Sequence, residues 1–171
     1  MSERTEYVYS VKFLCGTVPL RPFFSADPLP PGKEPPVKPA NYTTTINVHN
    51  PHERGDLAFR KKAVLTSYVG AQGTMPEPQQ RFKPGPVQTV SLATDAALAI
   101  DPRDIVKLLG DTMPKDAQFI EGFVVIYTPA VLDVVAVYTS QPSVVGRVAP
   151  QTSPAVSIDV EYIEAKTVAR V

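Results

Sequence analysis

Residues 119–139, FIEGFVVIYTPAVLDVVAVYT, constrain the fold of this chain more than any other stretch. Two runs rich in β-branched and aromatic residues, 119–127 and 131–139, flank a short Thr128-Pro129-Ala130 link and read as a β-hairpin. Along the first run, Phe123, Val125 and Tyr127 fall on one alternating face, and Ile120, Val124 and Ile126 on the other. A half-exposed antiparallel strand normally carries apolar residues on one face only. Both sides of this segment therefore need a cover, from the rest of the domain or from another subunit.

At 171 residues the chain suits one domain, able to bury about two-thirds of its unfolded surface. A hydrophobic content of 43% with 20% charged residues belongs to a globular protein. Seventeen basic and seventeen acidic residues cancel, so no net field draws the chain to nucleic acid or to an anionic membrane. The densest basic run, Arg60-Lys61-Lys62, reads as a solvated or edge face of a strand. No window approaches the ~20 apolar residues that cross a bilayer as a helix. The opening MSERTEYVYS is polar and unlike a signal peptide, so a cytoplasmic location is expected, with leaderless export left open.

The first expected strand, 7–14, is followed by eight prolines between Pro19 and Pro39. Proline fixes φ and removes backbone donors, so residues 19–40 are expected to run extended as a loop or arm. Phe23, Phe24 and Leu29 give that arm apolar anchors, for docking on its own domain or on a neighbouring subunit. Further strands are expected over 41–49, 56–66, 87–92, 96–100 and 156–163, with Lys61 on an inward phase and so a bulge or strand end near it. Asp101, Pro102, Asp104 and Gly110 bracket one short helix, with Ile105, Leu108 and Leu109 as its apolar stripe. About eight strands, one short helix and proline-rich loops imply an all-β, antiparallel, jelly-roll-like sandwich in a single domain.

The segments INVHN, VSLATDAALAIDPRDI and the 119–139 stretch follow one another in an order with a parallel elsewhere. From Thr43 to Thr139, a little over half the chain, that order resembles the sensory rhodopsin transducer family of small bacterial β-sandwich proteins. The resemblance implies a sandwich and a tendency to oligomerise. The proline arm and the helix depart from that family's plan, so neither a rhodopsin-coupling role nor a binding residue is carried over.

Candidate chemistry is sparse. Cys15 is the one cysteine, which excludes an intramolecular disulfide and any cysteine-rich metal site, and it reads as a buried thiol. His49 and His52, with Glu53 and Asp56 nearby, sit in a turn and read as solvent-exposed, since zinc needs four ligands. A copper site using Cys15 with Met75 or Met113 has its ligands in the wrong chain order. Asp101 and Asp104 are explained as helix caps, and Asp159 and Glu161 as a solvated strand face. No glycine-rich phosphate loop and no nucleophile elbow is present. The sequence thus implies no enzyme, cofactor or metal, and a structural protein that self-associates into a ring or filament. Its assembly candidates are Phe23, Phe24, Leu29, Phe123, Val125, Tyr127 and Tyr138. The alternative is a binding or adaptor module that presents loops to a small molecule, glycan or signalling partner.

Overall fold

A computed structural model describes residues 5–18, 37–53, 55–70, 82–142 and 156–169. Its described strands are β1 (Thr5–Val18), β2 (Ala40–His49), β3 (Leu57–Gly70), β4 (Gln88–Leu92), β5 (Ala97–Ile100), β6 (Ala117–Thr128), β7 (Asp133–Gln141), β8 (Ser157–Tyr162) and β9 (Lys166–Ala169). The helix α1 (Pro102–Leu109) runs into a 3-10 turn over Gly110–Thr112. Every strand pair is antiparallel. All nine strands belong to one hydrogen-bonded network, which folds over on itself. One layer runs β4-β3-β6-β1 with β9 on the start of β1, and the other runs β5-β2-β7-β8.

The fold line lies where β1 and β2 meet, at Gly16–Tyr42, Thr17–Asn41 and Val18–Ala40. Beyond it the two strands diverge into different layers, and the exposed edge of β1 must find other partners. Thr44 supplies them: its buried Oγ1 accepts from the Leu14 N–H at 2.9 Å and donates to the Leu14 carbonyl at 3.1 Å. Between the layers lies the main core, built from alternate positions such as Tyr9, Val11 and Phe13 on β1, Ile46 and Val48 on β2, and Val124 and Ile126 on β6, and a smaller cluster gathers Val18, Val69 and Phe119. The helix closes it with Ile105, Leu108 and Leu109, all buried. Its start is as expected: the Asp101 carboxylate accepts from the Asp104 N–H at 3.0 Å, and Pro102 follows.

Three expectations are corrected. Residues 119–139 do not form a hairpin, because β6 pairs with β1 and β3 whereas β7 pairs with β2 and β8. The link crosses from one layer to the other, so Val124 and Ile126 reach Val134 and Ala136 in a shared core. Tight hairpins need a residue that accepts positive φ, and Thr128-Pro129-Ala130 offers neither Gly nor Asn. β3 itself neither bulges nor ends at Lys61, which pairs regularly with Ile126, although its pairing with β4 stops there at Gln88; the register shifts fall after Leu65 and Val69. Its side chain stays on the inward phase, buried, and desolvation pulls the ammonium below its ordinary value. A ninth strand, β9, was missing from the expected set, its four residues being too few to show a period.

Candidate functional site

The described surface offers two features that the core does not explain: a groove beside β1 and an uncovered strand, β8. The groove, about 440 Å³, is lined by residues including Ser10, Lys12, Phe123, Tyr138, Asp159 and Glu161. Strand register explains how they converge. Pairing of β7 with β8 sets Tyr138 beside Asp159, and pairing of β1 with β6 sets Lys12 beside Phe123. The single Tyr138 hydroxyl proton lies within reach of the Lys12 carbonyl at 3.2 Å and of the Glu161 carboxylate at 3.1 Å. Burial, then the neighbouring charges of Glu161 and Asp159, push the phenol well above its ordinary range, so it stays neutral. The Lys12 ammonium is already paired with Glu121 at 2.7 Å. Among the described residues Asp159 and Glu161 have no ion-pair partner, which gives the groove an anionic lining with two aromatic walls. Both acids are exposed, yet they face this groove as well as open solvent.

The other face of β8 is the unexpected one. Val156 leads into it, and Ile158, Val160 and Tyr162 alternate along it, with 55%, 64%, 52% and 81% of their surfaces exposed. An alternating strand on a solvated body ordinarily turns its apolar residues inward and its acids outward. Here the acids line the groove and the apolar stripe faces water. Pairing places Tyr162 next to Val135, Val160 next to Val137, and Ile158 next to Thr139, so the stripe continues across the outer face of β7.

The opposite outer face is different. Phe123, Val125 and Tyr127 project from β6 there, with Phe123 exposed and the other two half-buried. Arg60 and Lys62 lie 5.3 Å from the Tyr127 ring centre. Cation–π contact and the apolar stems of these chains supply part of the cover that β6 needed. Arg60 also bonds Glu6 at 2.6 Å, and Ser67 donates to Glu121 at 3.0 Å. Of the assembly candidates, Phe123 and Tyr138 thus meet in the groove, and Val125 and Tyr127 stand on the charged outer face. Phe23, Phe24 and Leu29 lie outside the described residues.

The histidines have defined partners. His49 sits between two carboxylates, with Nδ1 3.0 Å from Asp133 and Nε2 3.1 Å from Asp95. Carboxylates only accept, so the arrangement suits the imidazolium, and these two hydrogen bonds raise the pKa of His49 above its ordinary 6.5. The carboxylates sit on opposite ring nitrogens and do not converge on a point that a metal would occupy. Among the described residues no three His, Cys, Asp or Glu side chains do so. His52 Nε2 donates to the Val131 carbonyl at 2.8 Å. A pH dependence follows. A raised native pKa adds stability that is full below the unfolded value of about 6.5 and is lost as pH rises through the native value. Replacing His49 by alanine is therefore expected to lower the thermal midpoint near pH 5.5, with the gap narrowing at higher pH; a gap constant from about pH 5.5 to 9 would refute the ion pairs. The effect should also shrink with salt, since all three groups are exposed.

Burial raises the Cys15 thiol to about 11, so it carries little thiolate near neutrality. Among the described residues, no helix is long and apolar enough to cross a membrane. No family model, curated protein or solved structure matches this chain.

Proposed function

We propose that this chain is a non-enzymatic structural or assembly protein that associates with copies of itself. The outward apolar stripe of β8 carries this reading, because large exposed apolar patches mark contact surfaces. The resemblance of residues 43–139 to the sensory rhodopsin transducer family points the same way, since those sandwiches oligomerise. Contact through a hairpin over 119–139 is replaced by contact through separate strands, and the proline-rich arm is retained as a second element of the assembly. Light scattering after size exclusion, with negative-stain images of the same fractions, tests the proposal. The expected result is a discrete mass at a multiple of 18.6 kDa, or a filament. A monomer across the accessible concentration range overturns it. Removal of residues 20–36 is expected to reduce the assembly size, and an unchanged size would exclude the arm.

The groove favours a second reading, a binding module. Asp159 and Glu161 with Phe123 and Tyr138 suit a small organic cation, attracted by the carboxylates and by the aromatic faces. Titration of a monomeric sample with alkylammonium and guanidinium compounds, followed by the intrinsic tyrosine signal, tests it.

A further inference from the structure

We propose that the outer face of the β5-β2-β7-β8 layer is the surface through which two copies of this chain pack, face to face about a two-fold axis. Given the self-association proposed above, this face supplies the contact. Register puts Val135, Val137 and Thr139 of β7 beside Tyr162, Val160 and Ile158 of β8 on the same side of the sheet. The β2 and β5 positions that complete it are threonine, asparagine and alanine. Among the described residues its charged groups are His49 with Asp133 and Asp95, gathered at one corner and paired with one another.

Charge selects the partner. A solvated surface carries roughly a quarter to a third charged residues. The other outer face meets that pattern, with Glu6, Lys12, Arg60, Lys62 and Glu121 in ion pairs or over an aromatic ring. Packing the neutral face onto that charged one would strip water from groups that gain no new partner. The neutral face does match itself, and a self-matched patch generates a closed two-fold contact. Area is consistent with this pairing. Val156, Ile158, Val160 and Tyr162 alone present on the order of 400 Å², and two facing copies with their β7 positions approach the roughly 1,200 Å² of stable interfaces. Flat rows of β-branched side chains pack in this way between sheets about 10 Å apart.

The test compares wild type, Val160→Glu, Tyr162→Lys and Phe123→Glu by light scattering over a concentration series, with far-UV circular dichroism on each. Val160 and Tyr162 are more than half exposed, so the charged side chains enter water in the monomer and the fold should persist. The expected result is a wild-type mass at least twice 18.6 kDa, and a shift toward 18.6 kDa for Val160→Glu and Tyr162→Lys, with at least about 100-fold weaker association. Phe123→Glu, on the charged face, should retain the assembly. A wild-type assembly that survives both β8 changes overturns this interface while leaving self-association intact, as does disruption by Phe123→Glu alone. A monomeric wild type removes both. A monomer whose Tyr162 is spared by hydroxyl radicals shows that the chain's own residues cover the face, and overturns the proposal too.

Discussion

Replacing Gly122 by alanine is expected to destabilise the fold by about 3 kcal/mol, the upper range for forcing atoms into a packed interior. Gly122 pairs with Phe13 on one side and Leu65 on the other, at the point where the β3–β6 register shifts. A Cβ there would collide with the Val64 carbonyl oxygen, and would sit 2.8 Å from the Phe13 ring and 3.0 Å from the Leu65 Cα. Two of these obstacles are backbone, in the centre of the ladder, and cannot swing aside. The Phe13 ring is itself fully buried in the core. A denaturant midpoint that falls with an unchanged slope is the expected signature. Gly55 gives the comparison: its φ of +89° strains an alanine, yet among the described residues no atom beyond its chain neighbours lies within 4 Å of the added Cβ, so about 1 kcal/mol is expected there. Equal effects at the two positions would show that close approach at Gly122 does not matter.

Replacing Tyr9 by phenylalanine is expected to cost about 2–4 kcal/mol although it removes a single atom. The Tyr9 hydroxyl donates to the Leu132 carbonyl and accepts from the Leu132 N–H, both at 2.8 Å. Tyr9 and Leu132 are both buried, so loss of the oxygen leaves a donor and an acceptor without water or partner. These bonds pin the 129–132 crossover to β1, at the place where the chain leaves one layer for the other. Faster amide exchange at Leu132 should accompany the loss of stability. Tyr42→Phe, which removes an exposed bond to the Lys38 carbonyl, should cost under about 1 kcal/mol. Similar costs for the two changes would refute the anchoring role of Tyr9.

The all-β class, the strand segments and the helix with its Asp101 cap were legible in local patterns. Alternation placed Tyr42, Thr44, Ile46 and Val48 on one inward phase of β2, and three of the four are fully buried there. Strand partners were not legible. Thr128-Pro129-Ala130 looked like a hairpin link because its neighbours had matching length and composition, although it lacked the positive-φ residue that a tight hairpin requires. Thr94-Asp95 behaves similarly: β4 joins β3 and β5 joins β2, so the strands on either side of that turn also part into different layers. Asn50 locks this crossover, its side-chain amide donating to Leu92 and Ala93 and its backbone N–H to Ala96.

The groove was less legible than the fold. Phe123 and Tyr138 stand among the assembly candidates, and Asp159 and Glu161 share one strand face, but nothing local joins the two pairs. Their meeting depends on β8 lying beside β7 and on β1 lying beside β6, contacts between segments far apart in the chain.

The sequence by itself determined which residues lie in strands, which of them share a face, and where the helix begins. Those properties follow from φ preferences, side-chain shape and a period of two, all of which act between near neighbours. Only the tertiary structure decided which layer each strand joins and which of its faces meets the core. Alternation is unchanged when the two faces of a strand are exchanged, so the choice rests on distant pairing. For β8, that choice turned the acids toward the groove and the valine, isoleucine and tyrosine stripe toward water.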